Sequence, residues 1–112
     1  MSAMPEDDLK EFDAQTFENE VLGADGLVLV DFWGEKCVSC KQLRKVLNQL
    51  ADDIPPDVQI GAVNATAYPD LAERFGVRGV PALLFFKKGE IVDMRTGVDR
   101  RQVLKKLVET HA

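Results

Sequence analysis

Cys37 and Cys40 are the only two cysteines in 112 residues, and they stand three positions apart in the stretch Trp33-Gly34-Glu35-Lys36-Cys37-Val38-Ser39-Cys40-Lys41. Just before them, Val28-Leu29-Val30-Asp31-Phe32 sets an acid inside an otherwise apolar run. A disulfide between cysteines this close closes so small a loop that it restricts little of the unfolded chain, so a purely structural crosslink is a poor use of the pair. Two other uses stand beside redox chemistry. Cysteines are often inert small hydrophobes. They can also ligate metal, but a tetrahedral zinc site needs four ligands, and the chain has no second Cys-x-x-Cys and one histidine, His111. A zinc or iron–sulfur centre would need two chains sharing four sulfurs, so no metal is expected within one chain. Reversible thiol–disulfide exchange asks only for the pair and is the favoured reading.

Helix geometry separates the two sulfurs. At about 100° per residue from Cys37, Leu43, Val46, Leu47 and Leu50 centre near 220–240°, and Cys40 falls at about 300°, on the flank of that face. Cys40 is therefore expected to be half buried. Cys37 falls on the side bearing Lys41, Arg44 and Lys45, with Lys36 just before it, and is expected to be the exposed sulfur. First-turn backbone N–H groups and the positive end of the helix dipole stabilise a thiolate there, and Lys36 adds a cation. Cys37 is thus the expected nucleophile, and Cys40 the thiol that resolves the mixed disulfide. Asp31 admits two readings. Buried, its pKa rises toward the range useful for proton transfer; at a strand end, it would cap a neighbour or meet solvent.

The elements that must position these residues alternate along the chain. Leu9 to Phe12 reads as a short strand, and Asp13 as the cap of a helix from Ala14 to Leu22 that stops at Gly23. Leu27 to Phe32 has the length and continuous apolarity of a central strand. After the cysteine helix and Pro55-Pro56, Asp57 to Val63 reads as a third strand, and Pro69 opens a short helix ending at Gly76. Ala82 to Lys87 and Glu90 to Thr96 form a hairpin through Lys88-Gly89. Asp99 with Gln102 resembles a capping box for a last helix whose apolar side is Val103, Leu104, Leu107 and Val108. The order predicts an α/β domain over residues 9–112, with a mixed sheet between helices, behind an acidic, mobile segment at residues 1–8.

Charge narrows the function classes. Fourteen basic against nineteen acidic residues give a net charge of −5, which argues against nucleic acid or an anionic membrane as partner. Residues 36–50 nevertheless carry Lys36, Lys41, Arg44 and Lys45 and no acid, which predicts a basic rim beside Cys37. The first residues have neither the basic nor the apolar region of a signal peptide, and no apolar run approaches membrane-spanning length, so a cytoplasmic protein is expected.

Three blocks, in order, resemble the thioredoxin family. They are Val28-Leu29-Val30-Asp31-Phe32-Trp33-Gly34-Glu35-Lys36-Cys37-Val38-Ser39-Cys40-Lys41, then Arg74 to Glu90 around Gly79-Val80-Pro81-Ala82, then Thr96-Gly97-Val98. The resemblance spans nearly the whole chain. It implies a thioredoxin fold, a central mixed five-stranded sheet flanked by four helices. It further implies no prosthetic group, exchange with protein disulfide substrates, a reductase as electron donor, and a monomer. It implies that Asp31, behind the second cysteine, relays the proton that activates Cys40; that the Val80–Pro81 bond is cis; and that Trp33, Val80, Pro81 and Gly97 form an apolar contact surface beside Lys36. A thiol oxidant or isomerase, or a binding module whose cysteines merely survive, are the alternatives. The chain also departs from the family's pattern. Lys36 stands for an aromatic residue, Val38-Ser39 for Gly-Pro, Lys45 for a helix proline and Ala62 for a lysine near the buried acid. Asp31 is therefore expected to lack a cation, and the cysteine helix to run straighter.

Overall fold

A computed structural model describes residues 9–112. The expected mobile segment at 1–8 lies outside the described residues. The elements are β1 (Lys10–Glu11), α1 (Ala14–Phe17, continuing as a π-helical turn over Glu18–Leu22), β2 (Leu27–Trp33), α2 (Val38–Ala51), β3 (Gln59–Asn64), α3 (Pro69–Arg74), β4 (Ala82–Lys87), β5 (Glu90–Thr96) and α4 (Arg101–His111). The strands form one mixed sheet in the order β1-β3-β2-β4-β5. β3 runs parallel to both β1 and β2, while β2–β4 and β4–β5 are antiparallel. The described residues thus hold the five strands and four helices expected.

β2 is central because every one of its residues is buried, a pattern only a strand covered on both faces can use. Val28, Val30 and Phe32 point to the side of α1 and α3, where Phe17 packs edge-on against Phe32 and Phe86. Leu27 and Leu29 point to the side of α2 and α4, against Leu43, Leu47, Leu50, Leu104 and Val108. Alternation puts Asp31 and Trp33 on that same α2 side. This is the step that brings the acid beneath the cysteine helix.

Local chemistry sets the ends of the elements. Asp13 caps α1 through a capping box with Thr16, its carboxylate accepting the Thr16 N–H at 2.8 Å. Pro69 begins α3 where its missing N–H costs nothing. The last helix corrects its expectation. Arg100, not Asp99, is its N-cap and makes no side-chain cap bond, because Asp99 turns to Arg95 in an ion pair of 2.8 Å. Val103 is correspondingly 40% exposed, so the buried stripe is narrower than the four residues expected. At the other sheet edge, β1 lies close on β3 only because residue 61 is glycine: a Cβ there would meet the Phe12 ring at 2.3 Å. That approach carries Glu11 to the cysteine side of the molecule. No described helix is long and apolar enough to cross a membrane.

Candidate active site

The chain leaves β2 at Trp33 and reaches the cysteines through a loop tied to the turn after β3. Ala65 N–H donates to the Trp33 carbonyl at 2.7 Å, and Glu35 N–H donates to Thr66 Oγ1 at 3.3 Å. Asn64 Nδ2 donates to Glu35 Oε2 at 3.3 Å. Lys36, exposed, takes a positive φ of 61°, a conformation that costs a residue with a Cβ and that turns the chain into α2.

Cys37 is the N-cap of α2, one position earlier than a first-turn residue. Its Sγ accepts the Cys40 N–H at 3.2 Å and stands 3.5 Å from Ser39 Oγ. The two cysteines are joined as a disulfide, with Cα atoms 5.2 Å apart. The sulfurs are unequal, as expected, and more so: Cys40 is wholly buried with Trp33 and Ala62, while Cys37 is partly exposed. An anion on Cys37 would meet a backbone donor and the positive end of a 14-residue helix.

Beside Cys37 the Val80–Pro81 peptide bond is cis. The Val80 carbonyl oxygen lies 3.9 Å from Cys37 Sγ, Val80 is 36% exposed, and Pro81 is buried. Gly97 N–H donates to the Pro81 carbonyl at 3.1 Å, with φ at 78°, where a side chain would be strained. A shallow groove of about 390 Å³ runs past Val77, Arg78, Val80, Pro81, Met94 and Gly97. Val38, inside the Cys-x-x-Cys pair and 73% exposed, extends the apolar rim; sequence reasoning passed over it, although an apolar residue at a helix start beside an exposed sulfur was a signal. Trp33 does not join that rim. At 4% exposure it backs the site from within, its Nε1 donating to Glu11 Oε1 at 3.0 Å.

Asp31 is fully buried and not at a solvent-facing strand end. Ala62 stands opposite it on β3 and Leu83 on β4, neither charged. The cation comes instead from α2: Arg44 Nε donates to Asp31 Oδ2 at 3.1 Å. This overturns two expectations. Asp31 does not lack a cation, and Arg44 is not part of an exposed basic rim, being 2% exposed. The rim consists of Lys36, Lys41 and Lys45. Arg44 lies four positions after Cys40, so one buried stripe of α2 carries both the shielded sulfur and the cation. Arg44 Nη1 also reaches Glu11 Oε2 at 3.2 Å, and its guanidinium lies 5.6 Å from the Trp33 ring centroid.

Burial dominates the electrostatics. It pushes the Asp31 carboxyl up to about 8, the charge of Glu11 adding to the rise. It pushes the Arg44 guanidinium down to about 10. Glu11 is also raised, its burial opposed by the Trp33 hydrogen bond. With Oδ2 held by Arg44, Asp31 Oδ1 is buried with no hydrogen-bond partner among the described residues, an oxygen open to a proton. The constellation can therefore do two things: open and close a sulfur–sulfur bond at an exposed helix cap, and hold or release a proton one layer beneath it.

Comparison with known proteins agrees. The thioredoxin family model matches residues 8–110. The thioredoxin of Chlorobaculum thiosulfatiphilum is 36% identical over 97 residues, covering 87% of this chain and 90% of that protein. Thioredoxin C-2 of Corynebacterium nephridii is 37% identical over 95 residues, covering 85% and 88%. The thioredoxin of Pseudomonas aeruginosa is 39% identical over 82 residues, covering 73% and 76%.

Proposed function

Because the chain belongs to the thioredoxin family and is a thiol–disulfide oxidoreductase, we propose that Cys37 is its nucleophile, Cys40 its resolving thiol and Asp31 the group that takes the Cys40 proton. Thioredoxins act on protein disulfides and receive electrons from a reductase. In the reduced protein the Cys37 thiolate attacks one sulfur of the substrate disulfide; a Cys37–substrate bond forms and the substrate's other sulfur leaves as a thiolate. Cys40 then gives its proton to Asp31 and attacks Cys37. The Cys37–Cys40 bond forms, the second substrate sulfur leaves, and two electrons have passed from the protein to the substrate.

The observation that carries this assignment is the unequal burial of the two sulfurs at one helix start. An extended substrate segment would lie along Val80, cis-Pro81, Gly97 and Val38, with Lys36 at its edge. Trp33 acts beneath that surface by fixing Glu11 and Arg44. The working protein is a cytoplasmic monomer whose single domain spans residues 9–112, with no prosthetic group and no nucleic-acid or membrane partner; a reducing compartment is where an open dithiol persists.

Cys37→Ser should abolish disulfide reduction, whereas Cys40→Ser should attack once and stall as a mixed disulfide through Cys37. Mass spectrometry of the trapped adducts decides. Adducts through Cys40 in Cys37→Ser, with none through Cys37 in Cys40→Ser, would reverse the assignment.

A further inference from the structure

We propose that Arg44 and Glu11 form a tuning arm for Asp31: Arg44 is a positioning residue that holds Asp31 Oδ2, and Glu11, drawing on the same guanidinium from its other side, sets how readily Asp31 gives up its proton. This rests on the reading of Asp31 as the partner of Cys40.

Among the described residues, the geometry is that of one cation shared by two acids. Arg44 Nε lies 3.1 Å from Asp31 Oδ2, and Nη1 lies 3.2 Å from Glu11 Oε2. Side-chain exposure runs from 0% at Asp31 through 3% at Arg44 to 36% at Glu11. A single positive charge cannot neutralise both carboxylates. Water stabilises the outer anion and not the inner one, so Asp31 holds a proton more tightly than Glu11 does, and it is the ionised fraction of Asp31 that can accept the Cys40 proton. Among the described residues, the charged groups that act on Asp31 are Arg44 from α2 and Glu11 from β1, and the thiol of Cys40, when reduced, lies on the same buried stripe of α2 as Arg44. The strand neighbours Ala62 and Leu83 are neutral.

The arm is built rather than incidental. Gly61 admits β1 close enough to bring Glu11 in, and the Trp33 indole fixes Glu11 Oε1, leaving Oε2 for Arg44. The Trp33 ring covers the guanidinium, which a lysine's point charge would use less well. The site thus has two handles of opposite sign on one buried proton, and the outer handle is open to solvent.

The test is a pair of single variants of the full chain. Glu11→Gln keeps the oxygen that Trp33 bonds and removes one negative charge, so the Asp31 midpoint, read by carbon NMR of labelled carboxyl groups in the reduced protein, should fall by about half to one pH unit. Arg44→Met removes the cation and should raise that midpoint by about one unit or more. Arg44→Lys should bring it back toward the parent value. The pH profile of the second, resolving phase of single-turnover disulfide reduction should move with the midpoint in each variant. Opposite displacements support the arm, because a merely structural role would lower rates in both variants without separating their midpoints. Midpoints that are unmoved, or that move the same way, overturn it. If Arg44→Met does not fold, the Glu11→Gln midpoint decides alone, and a failure to fall is fatal. Midpoints that move as stated under an unmoved rate profile keep the arm and sink the Cys40 proton transfer. Unmoved midpoints with Cys37-dependent turnover intact do the reverse.

Discussion

Replacing Asp31 by asparagine should stabilise the oxidised protein at neutral pH, and by more as pH rises. The carboxyl of Asp31 is raised to about 8 in the fold, against 3.8 when free. A group raised in this way holds its proton more tightly folded than unfolded, so its contribution is fully present below pH 3.8 and is lost progressively up to about pH 8. Each pH unit in that window removes about 1.4 kcal/mol, and by pH 7 roughly three units have passed, a loss of about 4 kcal/mol. Asparagine keeps the shape and an oxygen for Arg44 but never ionises. It gives up part of the charge-assisted bond, so a net gain of about 2–4 kcal/mol is expected at pH 7. Urea denaturation of both proteins at half-unit steps from pH 4 to 8 measures the difference. Asp13 and Asp93 remain in both proteins and cancel in the difference, which therefore reads Asp31 together with its coupling to Glu11. A variant no more stable than the parent at pH 7.5, or a gap that does not widen with pH, would refute the reasoning.

Two further outcomes bear on the cationic loop. Lys36→Gln removes a positive charge beside the Cys37 thiolate, which stabilises the reduced form, so equilibration with glutathione buffers should show a potential lower by about 20 mV or less; an unchanged or higher potential removes Lys36 from the account. The exposed Lys36, Lys41 and Lys45 should make acidic disulfide peptides react faster than basic ones at low salt, with the gap closing by about 0.5 M salt. Equal rates at low salt would end the steering idea.

Asp31 and Arg44 show where the sequence was readable and where it was not. Position on the helix placed Cys40 inward and Cys37 outward from spacing alone, and strand alternation places Asp31 on the α2 side. Arg44, at about 340° on the same wheel, lies only about 40° from Cys40, yet its charge argued for solvent. The buried acid was the missing signal, because a carboxylate taken out of water calls for a cation, and Arg44 one turn below Cys40 was the candidate in reach. Glu11 could not have been found so. Its place depends on Gly61 letting β1 close against β3, a contact between residues 51 apart that no local pattern encodes. Asp99 was misread for a related reason: a capping pattern states what a side chain can do, and Arg95 made it a better offer. The hairpin and the Pro69 helix were legible because glycine and proline act locally.

Cys37 is both the attacking sulfur and the cap of α2, and this gives the intermediate two exits. A sulfur stabilised as an anion by the Cys40 N–H is a ready leaving group as well as an available nucleophile, so the cap that supplies the attacking thiolate also speeds return to starting materials. The partition ratio at the mixed disulfide then rests on how fast Cys40 loses its proton beneath. Throughput is governed by the buried layer and encounter by the exposed one. Changes at Lys36 or Val38 should therefore alter which substrates are captured, and changes under α2 should alter how many captured substrates go on to product.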